Sequence, residues 1–363
     1  MTDTKKENPM KRRTFLAAAS VLGIAPALSA CSSQTSQGSA ESLSKDTEAE
    51  LTLFYWDKAQ KPTIEANIAA FNKEYPKIKV TPSVAVYKDY WTKLRTQAEG
   101  DQLPDVFWMN GPNFQLYAGN GMLAELDDLQ DVAWDKYPKA LVELYTAEGK
   151  KYGVPKDFDT IACFISKEIF AKAGVAVPTS GWTWEEHHAA AKAIADTEAD
   201  HLFMDGQAGI LWGGSWLVKT LREKFTGDEV VVVPLPKGEK EATIIHGLSY
   251  AASAKSKNLP AAKALIKAFT SQAGEETEAT NGTAIPAFNG TQAKWLEQAP
   301  SWNLDVFTKA ADSYAVPYPV SKNTAVWEEK QNTILSDVFT GQLAAEEGCK
   351  KLAAEMNTAL GQE

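Results

Sequence analysis

The sequence predicts an α/β protein of more than one domain, and three observations carry that expectation. Apolar strand-like runs alternate with helix-period stretches from Leu51 to about Asn120, which is the pattern of a parallel sheet covered on both faces. Without a leader of 30 residues the chain keeps 333, and at about 150 residues per domain that suggests two. An extended stretch, Tyr152–Asp159, then carries a glycine and a proline into the apolar run Thr160–Ile165, as a crossover between domains would.

The leader comes first. Lys5, Lys6, Lys11, Arg12 and Arg13 precede the apolar run Phe15–Leu28, the basic and hydrophobic regions of an export signal. Arg12-Arg13-Thr14-Phe15-Leu16 also resembles a twin-arginine signal. Leu28-Ser29-Ala30-Cys31 has the form of a bacterial lipobox, so residues 1–30 are expected to be removed and Cys31 acylated. A plain signal peptide cut near Ala30 is the alternative. Residues 31–49, rich in Ser, Gln, Glu and Lys, read as a flexible tether. The leader holds five basic and two acidic residues, so its removal takes the formal charge from −10 to −13. An acidic chain without basic clusters argues against nucleic acid or anionic lipid headgroups as partners.

Leu51–Trp56 reads as a buried strand, and Pro62 opens a helix with Ile64, Ile68, Phe71 and Tyr75 along one face. Strands Ile78–Val86 and Asp105–Asn110 follow, separated by a helix over Asp89–Glu99, with another helix from about Asn113. Ligands of such sheets gather beyond the carboxyl ends of the strands, where Trp56, Asp57, Tyr87, Asn110 and Gly111 lie. A helix from Trp182 runs to about Ala195. In Ile210–Leu217 the indoles of Trp212 and Trp216 flank Gly213, Gly214 and Ser215. That stretch fits either a helix start packed on a core or a rigid wall beside bare backbone. Val230–Val233 reads as a strand, Thr243–Ser253 as an extended run, and helices dominate from Pro260, ending with Thr324–Phe339 and Ala344–Leu360. Trp134, Trp295 and Trp302 read as core. Cys163 and Cys349 read as buried thiols, or as partners in a disulfide.

In this order the segments Pro104–Phe114 with Asn120–Leu123, Tyr152–Thr160 with Lys167–Phe170, Trp182–Glu186, Gly214–Trp216, Val233–Gly238 and Gly282–Pro286 resemble the extracellular solute-binding proteins of ATP-driven carbohydrate importers, the family that includes maltose-binding protein. The resemblance implies a two-lobe periplasmic-binding-protein fold (type II), with parallel-type sheets flanked by helices and a hinge between the lobes. It implies a sugar or oligosaccharide ligand, an ABC permease as partner, and no cofactor or metal. It places a lipid-anchored monomer on the extracytoplasmic face of the cell membrane. On the family pattern residues 50–153 with 254–314 form one lobe, and 154–253 with 315–363 the other. Ligand contacts are implied at Trp56, Asp57, Trp108 and Asn110 in the first lobe and at Asp159, Trp216 and Trp327 in the second. Asp157, Trp212 and Ser215 are neighbours of those positions. The residue types agree: indoles cover the C–H faces of a sugar while Asp and Asn fix its hydroxyls. One departure stands out. Ala195 to Ile210 spans fifteen positions where the family carries several tens, implying a second lobe that is trimmed, or a degenerate copy that no longer binds.

Three other readings compete with a sugar binder. Asp157 and Asp159 share one face of a strand and could form the carboxylate pair of a glycosidase, whereas Gly247-Leu-Ser-Tyr-Ala251 falls one residue short of a nucleophile elbow and reads as hinge. A metal carrier is disfavoured, because Glu185-Glu-His-His188 lacks the i,i+4 histidine pair; of His187, His188, His201 and His246 only the last, at the edge of the hinge run, stands near a ligand. A tethered binder of peptide or cell-wall fragments uses the same aromatic clefts as a sugar binder.

Overall fold

A computed structural model describes residues 43–129, 131–194 and 203–363. The leader, Cys31, His201 and the first half of the shortened interval, residues 195–202, lie outside the described residues. Strand β1 (Ala49–Tyr55) opens the fold. Leu43 already packs against the core and Asp46 lies 3.3 Å from Lys77, so the tether expected to reach residue 49 is attached from residue 43 onward.

The first sheet has the order β2-β1-β3-β11-β6, where β2 is Ile78–Val84, β3 Val106–Asn110, β6 Gly153–Pro155 and β11 Leu248–Ala252. β1 runs parallel to β2 and β3, joined by the helices Lys61–Glu74 and Tyr87–Glu99, as the alternation predicts. All five residues of β3 are buried, which suits a continuous apolar run at the middle of a sheet with both faces covered. A short hairpin, β4 (Thr146–Ala147) and β5 (Lys150–Lys151), precedes β6.

The second sheet is built around the ten-residue strand β7 (Asp157–Ser166). β8 (Ile210–Gly214), β9 (Val230–Val233), β10 (Thr243–His246) and β12 (Ile285–Pro286) all run antiparallel to it, and only β13 (Ala315–Pro317) lies parallel to its neighbour β10. The expectation of parallel-type sheets therefore holds for the core of the first sheet and not for the second. Strand–helix alternation signals parallel pairing when successive strands are neighbours. Here β8, β9, β10 and β12 each return to the same long strand instead.

Packing beyond the two sheets adds two observations. Trp302 Nε1 donates to Gly227 O (2.8 Å), Asn303 Nδ2 donates to Val232 O (3.1 Å), and Thr160 Oγ1 donates to Phe307 O (3.1 Å). The chain from Pro300 through the helix Asp305–Ser313 thus packs on the second sheet, ahead of the boundary at 314. Cys163 is buried and Cys349 exposed, and both are free thiols. The final helix, Ala345–Leu360, turns Gly348 and Ala359 inward in place of Cys349.

The two sheets meet where the chain passes between them. β6 leads through Lys156 into β7, and β10 leads through Gly247 into β11. His246 pairs with Asp159, and Pro286 of β12 with Asp157, so these segments lie side by side. Gly247 is required there: a Cβ would stand 2.1 Å from Asp157 O and 2.8 Å from Phe158 Cα. The buried Tyr145 hydroxyl, 2.5 Å from Gly247 O and 3.1 Å from Met109 O, ties the same peptide to the first sheet. Gly247→Ala is expected to lower stability by about 2–4 kcal/mol through overpacking against backbone that cannot rotate away. Thermal unfolding checks this, and an unchanged midpoint would show that the crossing has room.

Candidate functional site

A cavity of about 860 Å³ lies along the crossing strands and is lined from both sheets. Its first wall is formed beyond the carboxyl ends of β1 and β3. Trp56 follows β1 and sits within an aromatic cluster, with ring centroids 5.4 Å from Tyr87, 4.9 Å from Tyr90, 5.5 Å from Trp91 and 5.1 Å from Trp108. Mostly edge-on packing on this scale fixes the indole without covering its cavity side. Asp57 caps the turn Lys58–Gln60, accepting from Ala59 N (2.8 Å) and Gln60 Nε2 (3.3 Å). Asn110 caps the helix Gly111–Gly119: its Oδ1 accepts from Asn113 N (3.2 Å), and its Nδ2 donates to the Tyr87 hydroxyl (3.2 Å). That cap starts the helix two residues earlier than the sequence suggests. Carboxylate lone pairs and one amide hydrogen stay free for a ligand.

The floor is charged. Lys156, 2% exposed, donates to Gln60 Oε1 (2.9 Å) and to Asp157, lies 4.0 Å from Glu278, and sits 4.5 Å from the Trp108 ring centroid. Burial would lower its pKa, yet Asp157 and Glu278 hold it above the ordinary lysine value. Burial pushes Glu278 up to about 7 against the pull of Lys156, and drives Glu275 well above the carboxylate range. Asp157 also accepts from Leu248 N (2.8 Å), so one carboxylate joins Lys156 to β11. Beside it, Asp159 Oδ1 lies 2.9 Å from His246 Nδ1. The approach is close but poorly aligned for a hydrogen bond, and it becomes an ion pair when the imidazole is protonated.

The second wall comes from the stretch with paired indoles. β8 ends at Gly214, and after Ser215 and Trp216 the helix Leu217–Lys224 begins. The Trp216 ring folds back over Gly214, where a Cβ would stand 1.8 Å from Trp216 Cζ3. The glycine therefore makes room for the indole itself. Trp216 remains 43% exposed and stacks on His246 at 5.8 Å and 25°. Ser215 is 1% exposed and its Oγ has no partner among the described residues, although it lines the cavity. Such a hydroxyl is costly to bury alone and offers a hydrogen bond to a polar group entering the cavity.

The structure brings Trp56, Asp57, Asn110, Asp157, Asp159, Ser215 and Trp216 to one cavity and places three of the expected residues elsewhere. Trp108 is fully buried beneath Lys156 and Trp56, a support for the wall and not part of its surface. Trp327 is 5% exposed and donates from Nε1 to Ser321 Oγ (3.0 Å); the helix register presents its neighbour Glu328 to the cavity instead. Trp212 lies outside the lining, against Trp184 (5.3 Å) and donating to His187 Nε2 (3.2 Å). Sequence reasoning missed Tyr318, Glu328 and Lys219. Tyr318 donates to Glu328, and Lys219 Nζ donates to Asn281 O (3.0 Å), Asn281 Oδ1 (3.1 Å) and Thr283 Oγ1 (3.0 Å). No local pattern marks these residues, because their partners are distant in the chain.

Comparison with known proteins accords with this geometry. The family described as bacterial extracellular solute-binding protein matches residues 55–200. The arabinooligosaccharide-binding protein of Bacillus subtilis is 27% identical over 190 residues, covering 51% of this chain and 42% of that protein. The diacetylchitobiose binding protein DasA of Streptomyces coelicolor is 26% identical over 226 residues, covering 60% of this chain and 52% of that protein. The chain thus spans about half the length of the curated relatives it matches. An ABC substrate-binding protein of Listeria monocytogenes, solved in complex with cycloalternan, superposes with a TM-score of 0.78 at 21% identity, over 86% of this chain and 98% of that one. Residues 55–200 thus match the family of bacterial extracellular solute-binding proteins, and over most of its length the chain shares the fold of the Listeria protein.

Proposed function

We propose that the protein captures a sugar or short oligosaccharide between its two lobes and delivers it to an ABC importer, anchored at the outer face of the cell membrane through a lipid on Cys31. The lobes divide near Lys156, Gly247 and Pro300. The observation that carries the reading is one cavity lined by an indole from each side, Trp56 and Trp216, with Asp57, Asn110 and the unpartnered Ser215 hydroxyl among them. Its volume of about 860 Å³ lies in the range usual for small-molecule sites, about 300–1,000 Å³. The relatives named for arabinooligosaccharide and diacetylchitobiose support the ligand class. Relatives that are binding proteins, and an Asp157 tied to Lys156 and Leu248 N, support binding without catalysis over a glycosidase pair.

Titration calorimetry with arabinotriose, diacetylchitobiose and maltotriose tests the reading. At least one is expected to bind with a dissociation constant of about 1 μM, about −8 kcal/mol. No binding to any of them by a folded sample, or their hydrolysis, would reject it.

A further inference from the structure

We propose that His246, in its imidazolium form, is the positioning residue for the Trp216 ligand face, so that capture in the cleft is proton-linked. The choice of ligand rests on the carbohydrate reading above; the positioning rests on the fold alone.

His246 ends β10 immediately before the crossing at Gly247. Its ring stacks on Trp216, while Tyr318 meets it edge-on at 5.6 Å and 80°. Its Nδ1 lies 2.9 Å from Asp159 Oδ1. The Trp216 ring thus has an edge over Gly214 and one face against His246, and the residue, which is exposed, lines the cavity. An imidazolium on an indole face gains a cation–π attraction that a neutral imidazole lacks, and the contact with Asp159 is strong only while both partners are charged. Deprotonation of His246 therefore loosens both sides of the ring that holds Trp216.

The groups around His246 favour its proton. Asp159 and Asp157 approach from β7 and Glu328 from the helix Thr324–Phe339. Lys219 and Glu223, on the helix after Trp216, line the same cavity, and the Tyr318 phenol is neutral near pH 7, its pKa being raised above 10.0 chiefly by burial. Burial, the largest single influence, pulls the His246 pKa down, but the contact with Asp159 and the charges of Asp159, Asp157 and Glu328 together offset this and raise it above 6.5. Asp159 is itself raised above 3.8 by burial, with His246 opposing the shift. Affinity is present below the raised His246 value and is lost as pH climbs through it; it is also lost at acid pH as Asp159 takes up a proton.

An imidazolium accepts an electron from excited indole more readily than imidazole does, so it quenches the emission of a stacked tryptophan. The wild-type minus Trp216→Phe emission is measured on ligand-free full-length protein from about pH 5.5 to 9, around the ordinary histidine range. It is expected to rise with a midpoint above 6.5, and His246→Gln is expected to abolish the rise. Sugar affinity, measured over the same range with diacetylchitobiose, arabinotriose and maltotriose, is expected to fall about tenfold above the midpoint in wild type and to vary little with pH in His246→Gln. A pH-independent difference emission, or an unchanged pH profile in His246→Gln, would overturn the proposal. If His246→Gln does not fold, the titration of wild type against Trp216→Phe decides alone. Absence of binding to all three sugars rejects the carbohydrate reading, while the emission titration still decides the role of His246.

Discussion

Replacing Lys156 with methionine is expected to destabilise the fold by about 3–5 kcal/mol, the usual effect of removing one partner from a buried ion pair. Lys156 is the cation that faces Asp157 and Glu278 inside the crossing, and its removal leaves those carboxylates in low dielectric with Glu275 nearby. The deficit should also depend on pH. Glu278 is held at about 7 and Glu275 well above the carboxylate range, so both take protons more readily than in the unfolded chain. Groups with raised pKa values contribute stability at low pH and lose it as pH rises through the folded value. Without Lys156 those values rise further, so the deficit is smaller near about pH 5 than near about pH 8. Denaturant unfolding at the two pH values checks both statements. An equal deficit at both would show that the carboxylates do not rely on Lys156.

Trp216→Ala is expected to weaken sugar capture by about 2.5 kcal/mol, roughly seventyfold, while leaving the fold nearly as stable. The estimate comes from about 100 Å² of indole face at about 25 cal/mol per Å². Trp216 is 43% exposed, so its loss opens little of the core. Trp56→Ala would not separate the two effects, because Trp56 is packed among Tyr87, Tyr90, Trp91 and Trp108. Calorimetry and thermal unfolding of Trp216→Ala measured together decide it. Unchanged affinity would return Trp216 to a packing role.

Much of the first sheet is legible in the residues. Leu51–Trp56, Ile78–Val86 and Asp105–Asn110 alternate with helix-period stretches, and the rule that ligands gather at carboxyl ends leads to Trp56, Asp57 and Asn110, which do line the cavity. The second sheet is less legible. Strand β8 hides in a stretch where Gly213 and Gly214 lower strand propensity, and the pairing of four strands on β7 leaves no local trace. The indoles show the limit most plainly. Trp108, Trp212, Trp216 and Trp327 are the same residue type in similar contexts, yet only Trp216 reaches the cavity. One lies under Lys156, one faces Trp184, and one is turned away by a single helix position.

By itself the sequence determined that strands and helices alternate through the first sheet, and that aromatic and carboxylate groups collect at the strand ends. Those properties are local: they depend on periodicity, turn residues and the type of side chain. Only the tertiary structure decided which groups share a surface and in what charge state. Lys156 meets Glu278, and His246 meets Asp159 and Trp216, across intervals of the chain whose closure depends on the packing of both sheets. Burial and a neighbouring charge set those proton affinities, and both are properties of the folded space around a residue, which no stretch of sequence contains.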